Sequence, residues 1–288
     1  MNKISAYIAL TRLNRPVGIY LVLWPALWAL WIASEGVPSL NLLIVFTLGA
    51  IFMRSAGCII NDYADRNFDG LVDRTKLRPL ATGLISSKEA LTLFACLCLI
   101  SFLLVLTLNS LTIWLSIGAV VLAILYPFMK RHTHWPQAFL GAAFAWAIPM
   151  GFAAVLNDIP WQLWPLFAAT LVWSLIYDTA YAVGDMADDL KIGVKSTAIL
   201  FGEKLVLWIG FFQALMLLLL FWVGYLFNLG GIYIFCLMIV AAWFMYDLWR
   251  LNSRDSKVAF RVFLQNHWIG FMILCAIALD YEMRALVQ

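Results

Sequence analysis

Long apolar stretches, each near the length of a membrane-crossing helix, alternate with short polar segments along the whole chain. A helix needs about 20 mostly apolar residues to cross the hydrocarbon core of a bilayer. Windows of that length predict nine helices, at residues 17–34, 41–62, 89–108, 111–129, 137–156, 162–183, 204–226, 232–249 and 265–284. The pattern therefore predicts an all-α, polytopic membrane protein with nine transmembrane helices.

The composition supports this class. Hydrophobic residues make up 64% of the chain and charged residues 12%, whereas soluble domains average about 45–50% and about 25%. The five cysteines all lie in apolar stretches without the spacing of a metal site, so we expect neither disulfides nor thiolate ligands. The net charge is only +3. We expect contact with membrane lipid and no binding of nucleic acid.

The connections between the predicted helices alternate in charge. Four are long or basic (63–88, 130–136, 184–203 and 250–264), and four carry almost no cations (35–40, 109–110, 157–161 and 227–231). Lys and Arg mark the cytoplasmic side of a membrane protein. All of the 19 Lys and Arg except Arg284 fall on one side, which predicts a cytoplasmic N-terminus and a periplasmic C-terminus. Because no Arg- and Ser-rich leader precedes the first helix, we expect a bacterial cell inner membrane.

Two halves of the chain repeat each other at an offset of 120 residues. Pro16 precedes the first predicted helix and Pro136 the fifth, and an acidic cluster follows at the same offset in each half. We interpret residues 1–288 as one membrane domain, with repeats at about 10–130 and 131–250 and a ninth helix at about 265–284. Four helices per repeat keep both halves in one orientation, so both acidic helix ends face a central cavity from the cytoplasmic side.

The acidic clusters have helical spacing. Residues four and eight positions apart lie on one face of a helix and can converge on one ion. Carboxylates near the hydrocarbon region are costly unless water, a cation or a partner receives them, so two such clusters indicate a functional site. The residues that share this spacing are Asn61, Asp65 and Asp69 in the first cluster, and Tyr181, Asp185 and Asp189 in the second.

The ligand types favour a hard divalent cation. Mg²⁺ binds oxygen and commonly uses one or two carboxylates together with substrate phosphates, and the clusters contain no His, which argues against zinc or iron. The sequence also supplies nearby cations that could contact a diphosphate directly: Arg66, Arg74, Lys76, Arg78, Lys130, Arg131, Lys191 and Lys195. A diphosphate with a hydrophobic tail would explain why such a site lies in a membrane.

Four stretches resemble one protein family. Residues 61–83 and 177–202 closely resemble the two signatures of the UbiA superfamily of intramembrane prenyltransferases, and residues 10–16 and 126–131 match it as well. The resemblance covers nearly the whole chain. The second stretch is most similar to the branch that acts on 4-hydroxybenzoate.

The resemblance implies a fold, a reaction and a set of site residues. The fold would be nine helices around a cavity open to lipid. The reaction would move a polyprenyl group from polyprenyl diphosphate to the carbon ortho to the hydroxyl of 4-hydroxybenzoate, with Mg²⁺, in ubiquinone biosynthesis. The implied metal ligands are Asn61, Asp65, Asp69, Asp185 and Asp189, of which the four Asp are also catalytic together with Arg131. The substrate-binding candidates are Asn61, Lys130, Arg131, Lys195, Arg78, Tyr126 and Arg15.

Several alternatives stay open at this point. Arg131 and Arg15 are both candidates for the partner of the acceptor carboxylate. Arg54, seven residues before Asn61, is either functional or an intramembrane cation that pairs with an acid. The acceptor could instead be a naphthoate, haem or chlorophyllide. A transporter could carry similar repeats and charges, although it would need access from both sides of the membrane.

Overall fold

The computed structural model describes residues 2–71 and 75–287, and Arg74, one of the cations considered above, lies outside this range. Within these residues the chain is helical without any β-strand, and nine helical segments are long and apolar enough to cross a membrane. The prediction of an all-α chain with nine spans is therefore confirmed, and the chain is a multi-pass membrane protein.

Thirteen α-helices occur in the described residues. They are α1 (Lys3–Leu10), α2 (Val17–Ser34), α3 (Leu40–Asp65), α4 (Ser87–Val105), α5 (Ser110–Met129), α6 (Pro136–Ala145), α7 (Ala147–Leu156), α8 (Trp164–Ala182), α9 (Met186–Ile192), α10 (Thr197–Phe201), α11 (Leu205–Leu226), α12 (Gly231–Leu251) and α13 (Ser256–Val287). Short 3₁₀ turns lie at Asp69–Leu71, Trp161–Leu163 and Gly202–Lys204.

Local sequence explains where several helices begin and break. Ser86 caps α4 in a capping box with Glu89, and the Asn109 side chain accepts from a backbone N–H of the first turn of α5. The fifth span divides into α6 and α7 at Trp146. Pro149 explains this break, because it cannot donate to the carbonyl four residues earlier and its ring crowds that group.

The last helix begins nine residues before the predicted start at 265. Residues 256–264 were expected to belong to a solvated connection, and they instead form the first turns of α13. Ala259 and Val262 in this segment are each only 1% exposed. Burial of these apolar positions favours continuation of the helix despite its charged neighbours.

The core is formed chiefly by α2, α8 and α13. Trp28 on α2 packs against Trp173 on α8 at 5.4 Å between ring centres, and its indole N–H donates to the carbonyl of Gly270 on α13 at 2.9 Å. The indole of Trp173 donates in turn to Asn266 at 3.1 Å. In contrast, large apolar side chains on α4, α5, α11 and α12 point outward, as expected where the surrounding solvent is lipid.

Candidate functional site

The first acidic cluster straddles the end of α3. Asn61 and Asp65 lie in the last turn of the helix, whereas Asp69 opens the 3₁₀ turn that follows. The expectation of one helical face through Asp69 is therefore wrong for its last member. Asn67 and Gly70 favour a turn over a continued helix. All three aspartates of this segment are nonetheless buried, Asp62 at 1%, Asp65 at 4% and Asp69 at 5% exposure.

Two arginines neutralise Asp62 and Asp69. Nη2 of Arg12 lies 2.9 Å from both carboxylate oxygens of Asp62. Nη1 of Arg78 lies 3.0 Å from one oxygen of Asp62 and 3.0 Å from both oxygens of Asp69. Arg78 thus joins the end of α3 to the 3₁₀ turn, and its predicted place beside the acidic cluster agrees with the structure.

Asp65 is held by the two basic residues that follow α5. The ammonium group of Lys130 pairs with Oδ2 of Asp65, and Nη2 of Arg131 lies 3.9 Å from Oδ1. Arg131 also donates to the carbonyl of Ala64 and lies over the ring of Phe68 at 5.1 Å. Oδ1 of Asp65 is buried without a hydrogen bond.

Burial perturbs the acid at the start of the 3₁₀ turn. Loss of solvent raises the pKa of Asp69, the ion pair with Arg78 lowers it, and the net direction is upward. A carboxylate that is costly to keep ionised gains strongly from a nearby cation. Together with the oxygen of Asp65 that accepts no hydrogen bond and the amide oxygen of Asn61, it offers an all-oxygen donor set of the type that Mg²⁺ prefers.

The second acidic cluster also spans a helix break. Tyr181 lies in the last turn of α8 and packs against Phe263 at 4.7 Å, whereas Asp185 precedes α9 and Asp189 lies within it. The expected single helical face is therefore wrong here too. Gly184 lies at the break, where its conformational freedom permits the change of direction. Both aspartates are half-buried.

Backbone contacts bring the second cluster's chain close to the first. The N–H of Lys195, three residues beyond the end of α9, donates to the carbonyl of Lys130 at 2.9 Å. The Lys195 side chain donates to the carbonyl of His132 at 3.4 Å. The side chain of Lys130 pairs with Asp65, so Lys130 contacts both the first acidic cluster and the segment that follows the second. Within residues 2–71 and 75–287, however, no group of three His, Cys, Asp or Glu side chains is already arranged around one metal position.

A second polar region lies deeper along α3, around Arg54. Its guanidinium lies over the ring of Phe144 at 5.6 Å, and Tyr126, Tyr177 and Asp178 are close enough to act on its charge. Nε of Arg54 is fully buried and has no hydrogen-bond partner, and the described residues provide no ion pair for the group. A buried donor without a hydrogen bond is costly, so Nε of Arg54 is a candidate contact for an anion.

The remaining predicted substrate residues occupy different positions. Tyr126 lies in the last turn of α5, and both Arg54 and Asp65 are close enough to act on it electrostatically. Arg15 is exposed in the turn between α1 and α2, where its N–H donates to the carbonyl of Arg12 at 2.9 Å. That position is poorly suited to a buried acceptor.

The sequence did not predict the ion pair between Arg12 and Asp62. Asp62 lies inside the first cluster but is not among the predicted ligands, and Arg12 lies within the matching stretch at residues 10–16 without a predicted role. Their direct pairing across 50 residues has no local sequence signal. For Arg54 the available signal was its charge inside an apolar window, which did not reveal the absence of a partner.

Comparison with known proteins gives one consistent result. The UbiA prenyltransferase family model matches residues 22–272. A 4-hydroxybenzoate octaprenyltransferase from Hydrogenovibrio crunogenus is 61% identical over 96% of this chain and 98% of its own length. The protein with the same description from Hahella chejuensis is 55% identical over 98% of this chain and 94% of its own length.

Solved structures agree with the fold. The apo structure of a UbiA homologue from Aeropyrum pernix gives a TM-score of 0.79 at 25% identity, covering 91% of this chain and 97% of that one. A UbiA homologue from Archaeoglobus fulgidus, bound to GPP and Mg²⁺, gives a TM-score of 0.72 at 21% identity, covering 95% of this chain and 99% of that one. The chain belongs to the UbiA prenyltransferase family.

Proposed function

We propose that this protein transfers a polyprenyl group from polyprenyl diphosphate to 4-hydroxybenzoate in ubiquinone biosynthesis. The bond forms at the ring carbon ortho to the hydroxyl, and diphosphate is released. Near-full-length similarity to 4-hydroxybenzoate octaprenyltransferases supports the choice of acceptor. Membership of a prenyltransferase family favours this reaction over a transport function, and the observation that carries the choice of an anionic acceptor is the buried Nε of Arg54, which has no hydrogen-bond partner.

The acidic end of the cavity is the proposed diphosphate site. Asn61, Asp65 and Asp69 from the first cluster, with Asp185 and Asp189 from the second, would hold Mg²⁺. The metal would neutralise negative charge on the leaving diphosphate. Direct contacts to the remaining diphosphate oxygens would come from cations that already lie beside these acids. They are Arg78, Lys130 and Arg131. Lys195, whose side chain donates to the carbonyl of His132, is a further proposed contact.

Arg54 is the proposed partner of the acceptor carboxylate. Its guanidinium lies against Gly18 of α2 and near side chains of α5, α6 and α8, and its Nε has no hydrogen-bond partner among the described residues. It lies 11 residues before Asp65, so the two Cα atoms are separated by about 16 Å along α3. That interval leaves room for one benzoate ring with its carboxylate on Arg54 and its reacting edge toward the diphosphate.

The reaction then needs positioning and exclusion of water more than a nucleophilic side chain. The allylic C–O bond breaks, the electron pair leaves with diphosphate, and the ring carbon attacks the resulting cationic C1 before losing its proton. Aromatic side chains near Arg54, among them Phe144 and Tyr126, would shield C1 from water. Arg54 fixes the ring so that its ortho carbon faces C1.

We also propose the location and orientation of the chain. The excess of Lys and Arg on one set of connections supports a bacterial inner membrane protein with a cytoplasmic N-terminus and a periplasmic C-terminus. The acidic end would then face the cytoplasm, where soluble 4-hydroxybenzoate is available. The division into repeats at about 10–130 and 131–250 remains part of this proposal.

An acceptor panel tests the function directly. Membranes containing the protein would receive Mg²⁺, a polyprenyl diphosphate and one acceptor, with products measured by mass spectrometry. We expect prenylation of 4-hydroxybenzoate and very little of 4-hydroxybenzamide, which has the same ring without the negative charge. Faster turnover of a dihydroxynaphthoate than of 4-hydroxybenzoate would contradict the proposed acceptor.

Variants then test the residue that binds the acceptor. Arg54→Met should raise KM for 4-hydroxybenzoate by about tenfold to a hundredfold, because a charge-assisted hydrogen bond contributes about 1.5–3 kcal/mol. KM for the prenyl diphosphate should change little. Arg15→Met is the matched control, since Arg15 carries the same charge on the exposed surface. Equal effects of the two substitutions would reject Arg54 as the carboxylate partner.

A further inference from the structure

Asp62 lies at the centre of a chain of charges outside the proposed metal ligands. It is 1% exposed, and it contacts Arg12 through both oxygens and Arg78 through one. The same nitrogen of Arg78 also reaches both oxygens of Asp69. The order of contacts is therefore Arg12, Asp62, Arg78 and Asp69, which connects the N-terminal segment to the diphosphate end of the cavity.

The backbone at Arg12 has an unusual conformation. Its φ is +58°, in the left-handed region, which is uncommon for a residue other than Gly, Asn or Asp. Such conformations persist only where surrounding contacts outweigh their cost, and they are frequent at functional sites. Here the contact is the two-oxygen ion pair with buried Asp62, and the Arg12 side chain also donates to the carbonyl of Ala9.

The N-terminal helix has a second, separate attachment. Lys3 pairs with Glu89 at the start of α4, and the hydroxyl of Tyr7 donates to the same carboxylate at 3.2 Å. Ala6 and Leu10 pack into a small apolar cluster with Ile59. Anchoring of α1 therefore does not depend on Arg12 alone, so the pair with Asp62 has a separate effect that can be measured.

We propose that Arg12 is a positioning residue for the diphosphate site and that it acts through Asp62 on Arg78. With Arg12 in place, Asp62 is already neutralised, and Arg78 is shared between Asp62 and Asp69. Without Arg12, the buried carboxylate of Asp62 would draw Arg78 onto itself. Arg78 would then move away from the position at which it meets the diphosphate. This inference rests on the proposed function, because it assigns a role to the leaving group's site.

The test compares three variants in the membrane assay. Arg12→Asn removes the guanidinium while placing a residue that tolerates the left-handed backbone. Arg12→Lys keeps the charge but loses the planar guanidinium, whose Nη2 contacts Asp62 while Nη1 donates to the carbonyl of Ala9. Lys3→Met removes the other ionic attachment of α1 and is the control. We expect Arg12→Asn to raise KM for the prenyl diphosphate about tenfold or more, Arg12→Lys to have an intermediate effect, and Lys3→Met to have none.

A double-mutant cycle separates positioning from general loosening of the fold. If Arg12 acts through Arg78, Arg12→Asn should have little further effect on KM when Arg78→Lys is already present. KM for 4-hydroxybenzoate should stay within about twofold of wild type in Arg12→Asn. Additive effects, or an equal rise of both KM values, would overturn the positioning role, as would a wild-type KM for the prenyl diphosphate in Arg12→Asn.

Failure of the proposed function would be recognised separately. In that case wild-type protein itself would not prenylate 4-hydroxybenzoate. Mg²⁺-dependent binding of a radiolabelled prenyl diphosphate to the full-length protein then replaces turnover as the readout. Weaker binding by Arg12→Asn than by Lys3→Met would still support the inference, and equal binding by the two would overturn it.

Discussion

Substitution of Gly18 by Ala should move the guanidinium of Arg54 without disturbing the fold. A Cβ at position 18 would lie 2.5 Å from Nε and 2.8 Å from Nη2 of Arg54. Nonbonded heavy atoms are most favourable at about 3.5–4.0 Å, so the guanidinium must retreat by about 1 Å. Because these atoms are the far end of a flexible side chain, the displacement is possible without a backbone shift.

The expected consequence is a selective loss of acceptor binding. A misplacement of about 1 Å in a positioned group can cost up to about a hundredfold in rate. We therefore expect Gly18→Ala to raise KM for 4-hydroxybenzoate by about tenfold to a hundredfold and to leave KM for the prenyl diphosphate near wild type. Gly18 is the second residue of α2, where alanine suits the helical backbone, so a lower melting temperature is not expected.

The assay is prenyl transfer in membranes with each substrate varied in turn. Gly49→Ala is the matched control, because Gly49 lies on α3 like Arg54 and an added Cβ there meets nothing within 4 Å. Thermal unfolding in detergent checks that both variants are folded. Wild-type KM for 4-hydroxybenzoate in folded Gly18→Ala would refute the reasoning, because it would mean that the position of Arg54 does not matter to the acceptor.

Three further predictions concern the metal, the topology and the core. Chelation of the divalent cation should abolish turnover. Full activity in any two alanine variants of the proposed carboxylate ligands would reject their assignment. These ligands are Asp65, Asp69, Asp185 and Asp189. A reporter fused after the last residue should give a periplasmic signal, and a cytoplasmic signal would exclude the nine-span orientation. Gly270→Ala should destabilise the protein by about 1–3 kcal/mol, since the added Cβ would lie 2.5 Å from the ring of Trp173. Gly231→Ala is the control, because its Cβ meets nothing within 4 Å. Equal melting temperatures of the two variants would contradict the prediction.

Hydropathy was enough to predict the nine spans because the bilayer imposes both a length and a requirement for internal backbone hydrogen bonds. It could not predict where a span would break or extend. The division between α6 and α7 depends on Pro149, which the apolar window at 137–156 includes without penalty. The early start of α13 depends on packing of Ala259 and Val262. A hydropathy window does not detect this packing, because charged residues surround the two positions.

The acidic clusters were identified correctly as sequence features, but their local structure was not. A spacing of four residues is compatible with one helical face, and it is equally compatible with a helix followed by a turn. Asn67, Gly70 and Gly184 favour the turn in both clusters. A break has a chemical advantage here, because carboxylates from a helix end and an adjoining turn can approach an ion from different directions. A straight helix would offer them from one side only.

The two arginines that were hardest to interpret show why charge alone does not identify a role. Arg12 and Arg54 are both cations beside apolar residues, and the sequence treats them alike. In the fold, Arg12 forms an ion pair with buried Asp62. Its proposed effect on the diphosphate site therefore passes through Asp62 to Arg78. Arg54 reaches a region formed by four helices in which the described residues supply no carboxylate within ion-pair distance. Nε of Arg54 is buried without a hydrogen bond, and this free donor is the reason that the carboxylate of a small aromatic acid is proposed as its partner.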